Sequence, residues 1–144
     1  ALVLDDEYYY LVGYDSAEEK IKHFRVDKMD KIKIASSSRE GKQMFAQIDL
    51  SRYNVNIFSM FGGKEEKVTL RFENSLAGVV IDRFGKDIIL VPDDENHFLI
   101  SVTAQISPQF FAWLFGFADK CEITEPESVR KEFKNSIKKT LKLY

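Results

Sequence analysis

The sequence is poor in the features that announce chemistry. It holds one cysteine, Cys121, so no intrachain disulfide can form. A lone thiol set between Lys120 and Ile123 suits a reducing cytoplasm. No apolar run approaches the roughly eighteen residues of a membrane span. No basic stretch followed by an apolar core opens the chain, so it does not read as a signal peptide. The formal net charge is only -2, which excludes a protein that coats nucleic acid by bulk charge. A Gly-rich phosphate loop, a nucleophile elbow and a paired-cysteine metal motif are all missing. The two histidines, His23 and His97, fall in different halves and give no metal pattern. Acids are plentiful, but no spacing marks an acid/base pair. No enzyme, metal or cofactor is expected.

What is present points to a folded α+β chain. It has 144 residues, 44% of them hydrophobic, enough for one good core or two small ones. With 13% aromatic and 31% charged residues it is globular in composition, not disordered. Charge is uneven. Residues 1–19 hold six acids and no base; residues 20–33 hold six Lys or Arg against two Asp; residues 129–144 hold six against one Glu. Each basic run reads either as a solvated face or as an anion-attracting surface.

The first 48 residues read as part of a small barrel. Tyr8 to Tyr14 is a strand rich in aromatic and β-branched residues, and Ser16 to Glu19 is a hairpin loop. Lys20 to Asp27 alternates, with Ile21, His23, Arg25 and Asp27 sharing one face. A third strand is expected over Lys31 to Ala35. Ala1 to Leu4 is a short apolar edge. A barrel needs more strands than these, so earlier ones are expected to lie outside this sequence. Residues 49–66 read as a connection, with a helix around 49–59 ended by Gly62-Gly63.

Residues 67–144 read as a second unit. Val68 to Phe72 alternates as a strand, and Asn74 or Ser75 is placed to cap a helix closed by Gly85. Asp87 to Val91 is a strand, Asp93 to Asn96 a turn, and His97 to Thr103 the returning strand. Ser107-Pro108 opens a helix that buries Phe110, Phe111 and Leu114. Lys120 to Thr124 is a strand. Thr124 and Glu127 are placed for a capping box before a last helix striped by Val129, Phe133, Ile137, Leu141 and Tyr144. The order β-α-β-β-α-β plus a terminal helix is ferredoxin-like. Phe115, Phe117 and Trp113 lie off the main stripe and are candidates for a subunit contact.

The candidate site lies in the first unit. Arg25 offers a rigid fork suited to phosphate, and Lys28 adds a mobile charge. Tyr10, Tyr14 and Phe24 offer ring faces to nucleobases. The competing reading pairs Asp27 with Arg25 or Lys28 and uses the tyrosines as barrel wall.

Two runs resemble the second half of a WYL domain: Tyr9-Tyr10-Leu11-Val12-Gly13-Tyr14-Asp15, and His23-Phe24-Arg25-Val26-Asp27-Lys28-Met29. Lys28 keeps the charge but not the guanidinium fork of the family pattern, and Met29 replaces a branched apolar residue. Val68 to Phe72, Trp113-Leu114-Phe115-Gly116-Phe117 and Glu122 to Pro126 with Val129-Arg130 resemble the extension that follows WYL domains in bacterial transcriptional regulators. The resemblance implies a partial SH3-like barrel and a ferredoxin-like extension. It implies a cytoplasmic homodimer that senses a nucleotide or short single-stranded nucleic acid through Tyr10, His23, Arg25 and Lys28. Operator DNA would be bound only through an N-terminal helix-turn-helix domain outside this sequence. The alternative is an oligomerisation module without its own ligand.

Overall fold

The computed structural model describes residues 1–5, 7–46 and 63–144. It divides into two compact units, Ala1–Gly62 and Gly63–Tyr144. The helix expected over 49–59 lies outside the described residues.

The first unit holds a three-stranded antiparallel sheet of the SH3-like kind, in the order β1 (Leu2–Asp5), β2 (Tyr8–Asp15), β3 (Lys20–Arg25). The expected third strand over 31–35 does not form. A 3₁₀ turn at Val26–Lys28 ends β3, and Lys31 takes a positive φ of 53°. Ile32 and Ile34 then stand almost wholly in solvent, so their alternation has no core to serve. The apolar edge at Leu2–Asp5 supplies the third strand instead, pairing Val3 with Tyr10 and Leu2 with Leu11. A short helix, α1 (Lys42–Ala46), follows the loop. Before it, Gly41 has φ +75°, and a Cβ there would sit 2.6 Å from Tyr14. Only glycine allows the loop that close at that dihedral.

The second unit is β4 (Lys64–Glu73), α2 (Ala77–Phe84), β5 (Val91–Pro92), β6 (His97–Ile106), α3 (Pro108–Phe115), β7 (Cys121–Glu125) and α4 (Glu127–Leu141). The sheet order is β5-β6-β4-β7, antiparallel throughout, which is the ferredoxin-like arrangement with one helix added. Period-two burial drives it. Val68, Leu70 and Phe72 of β4 and Phe98, Ile100 and Val102 of β6 all point inward. Val80, Phe110, Leu114 and Val129 close the core from the helices. Phe72 is fully buried, and its ring lies 5.9 Å from Phe98, 6.1 Å from Trp113 and 5.9 Å from Phe117. Trp113 and Phe117 therefore belong to this cluster, whereas Phe115 remains 62% exposed.

Several local expectations shift. Ser107 does cap α3, accepting from Phe110 N at 3.2 Å. Neither Asn74 nor Ser75 caps α2, because a 3₁₀ turn over Asn74–Leu76 intervenes. Asn74 instead ties the strand end to the hairpin, donating from Nδ2 to Glu95 O at 3.0 Å. Thr124 does not cap α4: its hydroxyl donates to Thr69 O, and the helix starts after Pro126 without a side-chain cap. Of the strand expected at 87–91, only Val91 pairs with β6, and the pairing continues to Pro92, where the strand was expected to have stopped.

Candidate ligand-binding face

The register of β2 and β3 decides which side chains can meet. Tyr10 lies opposite Arg25, Val12 opposite His23, and Tyr14 opposite Ile21. Directly opposed residues share a sheet face, so Tyr8, Tyr10, Val12, Tyr14, Ile21, His23 and Arg25 form one surface. Val12 is buried at its centre. Phe24 is paired with Leu11 on the opposite face and cannot join the site. Tyr14 is on the right face but is packed against the Gly41 backbone.

Arg25 is the most constrained cation on this surface. Its Nε donates to Asp27 Oδ1 at 3.0 Å and its Nη2 to Asp27 Oδ2 at 2.7 Å, a two-point fork. The guanidinium carbon also sits 3.5 Å from the centre of the Tyr8 ring. The turn at Val26–Lys28 makes this possible: by leaving the strand, it folds the Asp27 carboxylate back towards the end of β3. The pairing of Asp27 with Arg25 thus forms, but from the turn and not from a shared strand face. It holds the Asp27 carboxyl below its usual range and raises the already high guanidinium pKa. Two of five N–H donors face Asp27, leaving the other edge of the guanidinium geometrically distinct.

The remaining expected residues are placed unequally. His23 is half-buried two residues from Arg25 on the same face, and burial lowers its pKa, so it is neutral near pH 7. Tyr10 is partly buried directly beside Arg25. Lys28 is exposed on the turn, beyond the end of the strand, where its charge helps keep Asp27 ionised. Tyr10, His23 and Arg25 come together; Lys28 borders them. Sequence reasoning missed Tyr8. The available signal was its spacing: Tyr8 and Tyr10 are two apart on one strand and so share a face.

The basic run is smaller than its residue count. Lys20 pairs with Glu18, and Lys22 with Asp15 and Glu18 at 2.5 Å each. The acids of the hairpin turn thereby neutralise the start of β3. Elsewhere, His97 Nδ1 lies 2.8 Å from Asp94 Oδ1 in the hairpin before β6. Burial, aided by Glu122, pushes the Cys121 thiol up to about 12, which removes it as a nucleophile near neutral pH. Among the described residues, no three His, Cys, Asp or Glu side chains cluster as a metal site. Among them too, no helix is long and apolar enough to cross a membrane.

Comparison with known families gives two matches. A family model described as the WCX domain matches residues 64–141, and one described as the WYL domain matches residues 1–34. No curated protein matches the chain.

Proposed function

Since the chain belongs to the WCX-domain family and carries part of a WYL domain ahead of it, we propose that it is the ligand-sensing and dimerisation region of a bacterial transcriptional regulator. Its effector is a nucleotide-like molecule or a short single strand. Sensing is assigned to the barrel portion within residues 1–48 and assembly to the extension at 67–144, joined through 49–66. Operator contact would come from a helix-turn-helix domain elsewhere in the full regulator. The chain works in the cytoplasm and performs no catalysis of its own.

One observation carries the ligand assignment: the Arg25 guanidinium, aimed by Asp27 and the Tyr8 ring, beside Tyr10 and His23. A planar fork held in place before binding loses less freedom when a phosphate arrives. A phosphate oxygen would engage the outer guanidinium edge or exchange with Asp27. Tyr10 would lie against the sugar or base, and Lys28 would add charge at the rim. Neutral His23 would serve as a hydrogen-bonding group and not as a cation.

The test is anisotropy titration of the chain with a labelled short oligothymidylate at several salt concentrations. Arg25→Ala is expected to weaken binding by roughly tenfold or more, the loss of a charge-assisted pair. Asp27→Asn is expected to strengthen it, because the competing charge is gone while the amide oxygen can still accept from Arg25 and orient it. Affinity should fall as salt rises. Equal binding by parent and Arg25→Ala would remove Arg25 from the site.

The alternative, an assembly module without a ligand, is favoured by a different observation. An apolar groove of about 520 Å³ lies between α3 and α4, and Phe115, Ile137, Leu141 and Tyr144 around it are exposed. Both roles can coexist in one chain.

A further inference from the structure

We propose that the groove between the outer margin of β7 and helix α4 accepts an extended acidic peptide, which adds to the sheet as a fifth strand. The groove has a volume of about 610 Å³. It touches Cys121, Glu122 and Ile123 in succession. Consecutive strand residues point to opposite faces. A groove touched by all three therefore runs along the strand margin and not over one face. From the other side it is lined by Arg130, Lys134, Ile137 and Lys138, spaced i, i+4, i+7 and i+8, which share one face of α4.

The two margins of this sheet are unlike. β5 is only two residues long and ends in Pro92, which lacks a backbone donor. β7 is five residues long without an internal proline, and in the sheet order it neighbours only β4. It presents a row of backbone donors and acceptors beside an open groove. An extended peptide satisfies such a row with main-chain hydrogen bonds, while pockets for alternate side chains supply selectivity.

Charge selects the occupant. Glu122 reaches Arg130 at 2.5 Å, and Glu127 lies 3.8 Å from Lys131. Those pairs cancel within the lining. Lys134 and Lys138 have no ion-pair partner among the described residues, and both are exposed. They stand one helical turn apart, about 6 Å along the axis. Alternate residues of a strand are about 6.6 Å apart. Acids at alternate positions therefore meet Lys134 and Lys138 together. The residues between them point to the opposite side of the new strand. Phe133 and the partly exposed Ile137 add apolar surface to the groove.

The probe is a labelled, capped octapeptide alternating glutamate and valine, titrated into the 144-residue chain by anisotropy. It should bind, and more weakly at high salt. Lys134→Glu combined with Lys138→Glu should weaken it by roughly tenfold or more. Both side chains are exposed, so the fold is not at risk. The same peptide N-methylated at alternate backbone nitrogens, on the edge that would face β7, should lose binding by a similar factor, since strand addition needs its donors. Amide exchange along Cys121–Glu125 should slow when the parent peptide binds. No binding, equal binding by the N-methylated peptide, or equal binding by a lysine–valine octapeptide would each overturn the proposal. Capture of a single-stranded oligonucleotide in the groove in preference to the peptide would also overturn it. Arg25→Ala should leave peptide binding unchanged, so this site and the one on β2 and β3 fail separately.

Discussion

Asp94 shows how much a short polar turn depends on one carboxylate. Its Oδ1 accepts from Asn96 N at 2.8 Å and meets His97 Nδ1 at 2.8 Å, while Oδ2 accepts from Arg71 at 2.5 Å. The Asn96 N–H first, then His97 and Arg71, hold this carboxyl at about 2, against an ordinary 3.8. A carboxyl depressed in the folded state contributes stability that is present above the unfolded value and lost as pH falls through the folded one. Thermal melting of the parent should therefore drop between about pH 4 and pH 2 by more than that of Asp94→Asn. Parallel curves would show that Asp94 adds nothing to acid stability. This turn was legible from Asp93 to Asn96 as polar residues between strands, but its partner was not. Arg71 lies more than twenty positions away, and only the β4–β6 register brings it near. Arg25 was legible in the same partial way. Its residue type marks an anion contact, and Asp27 two positions on marks a pairing partner. The Tyr8 ring beneath it needed the strand register.

Among the elements, helix starts separate what sequence can and cannot tell. Ser107-Pro108 was readable because both signals are local: the hydroxyl takes an orphan helix N–H, and proline needs none. Ser107 is 3% exposed, so no water can replace its hydroxyl easily. Ser107→Ala should cost about 1 kcal/mol, within the usual range for losing a cap, measured by urea unfolding of the full chain. A change in midpoint of zero would mean that Pro108 and packing hold α3 alone. Thr124 was equally suited by type, yet its hydroxyl is used by Thr69 O across a bulge in β4–β7 pairing. Tertiary contact overrode the local signal. The same holds for residues 31–35, where alternation without a neighbouring face gave no strand, and for Leu2–Asp5, where β2 offered a free side and a four-residue run was enough.

For the whole molecule, the order of elements in residues 63–144 was readable because periodicity and turn signals agreed over a long stretch. The first unit was harder because Val12 is the single fully buried large side chain among its described residues. Assembly can be tested at this scale. The stripe on α4 begins in the core at Val129 and emerges to 38% exposure at Ile137 and 70% at Leu141. Exposed apolar stripes of this kind seek partners. Ile137→Glu with Leu141→Glu should shift the chain towards monomer in sedimentation velocity, with circular dichroism unchanged. An unchanged oligomeric state would take α4 out of the proposed dimer contact.

The Asp27 carboxylate has one more consequence if Arg25 is an effector contact. It is a competitor that can never diffuse away, because two residues of chain tether it to the guanidinium. Tethered groups act at effective concentrations of order millimolar or above. An anion that takes the Nε–Nη2 edge must outbid that standing occupant, so one that binds by charge alone is held back relative to one that brings further contacts. A ligand that also engages Tyr10 brings the extra affinity needed. The bridge would thus work as a noise filter, setting the smallest signal to which the surface responds.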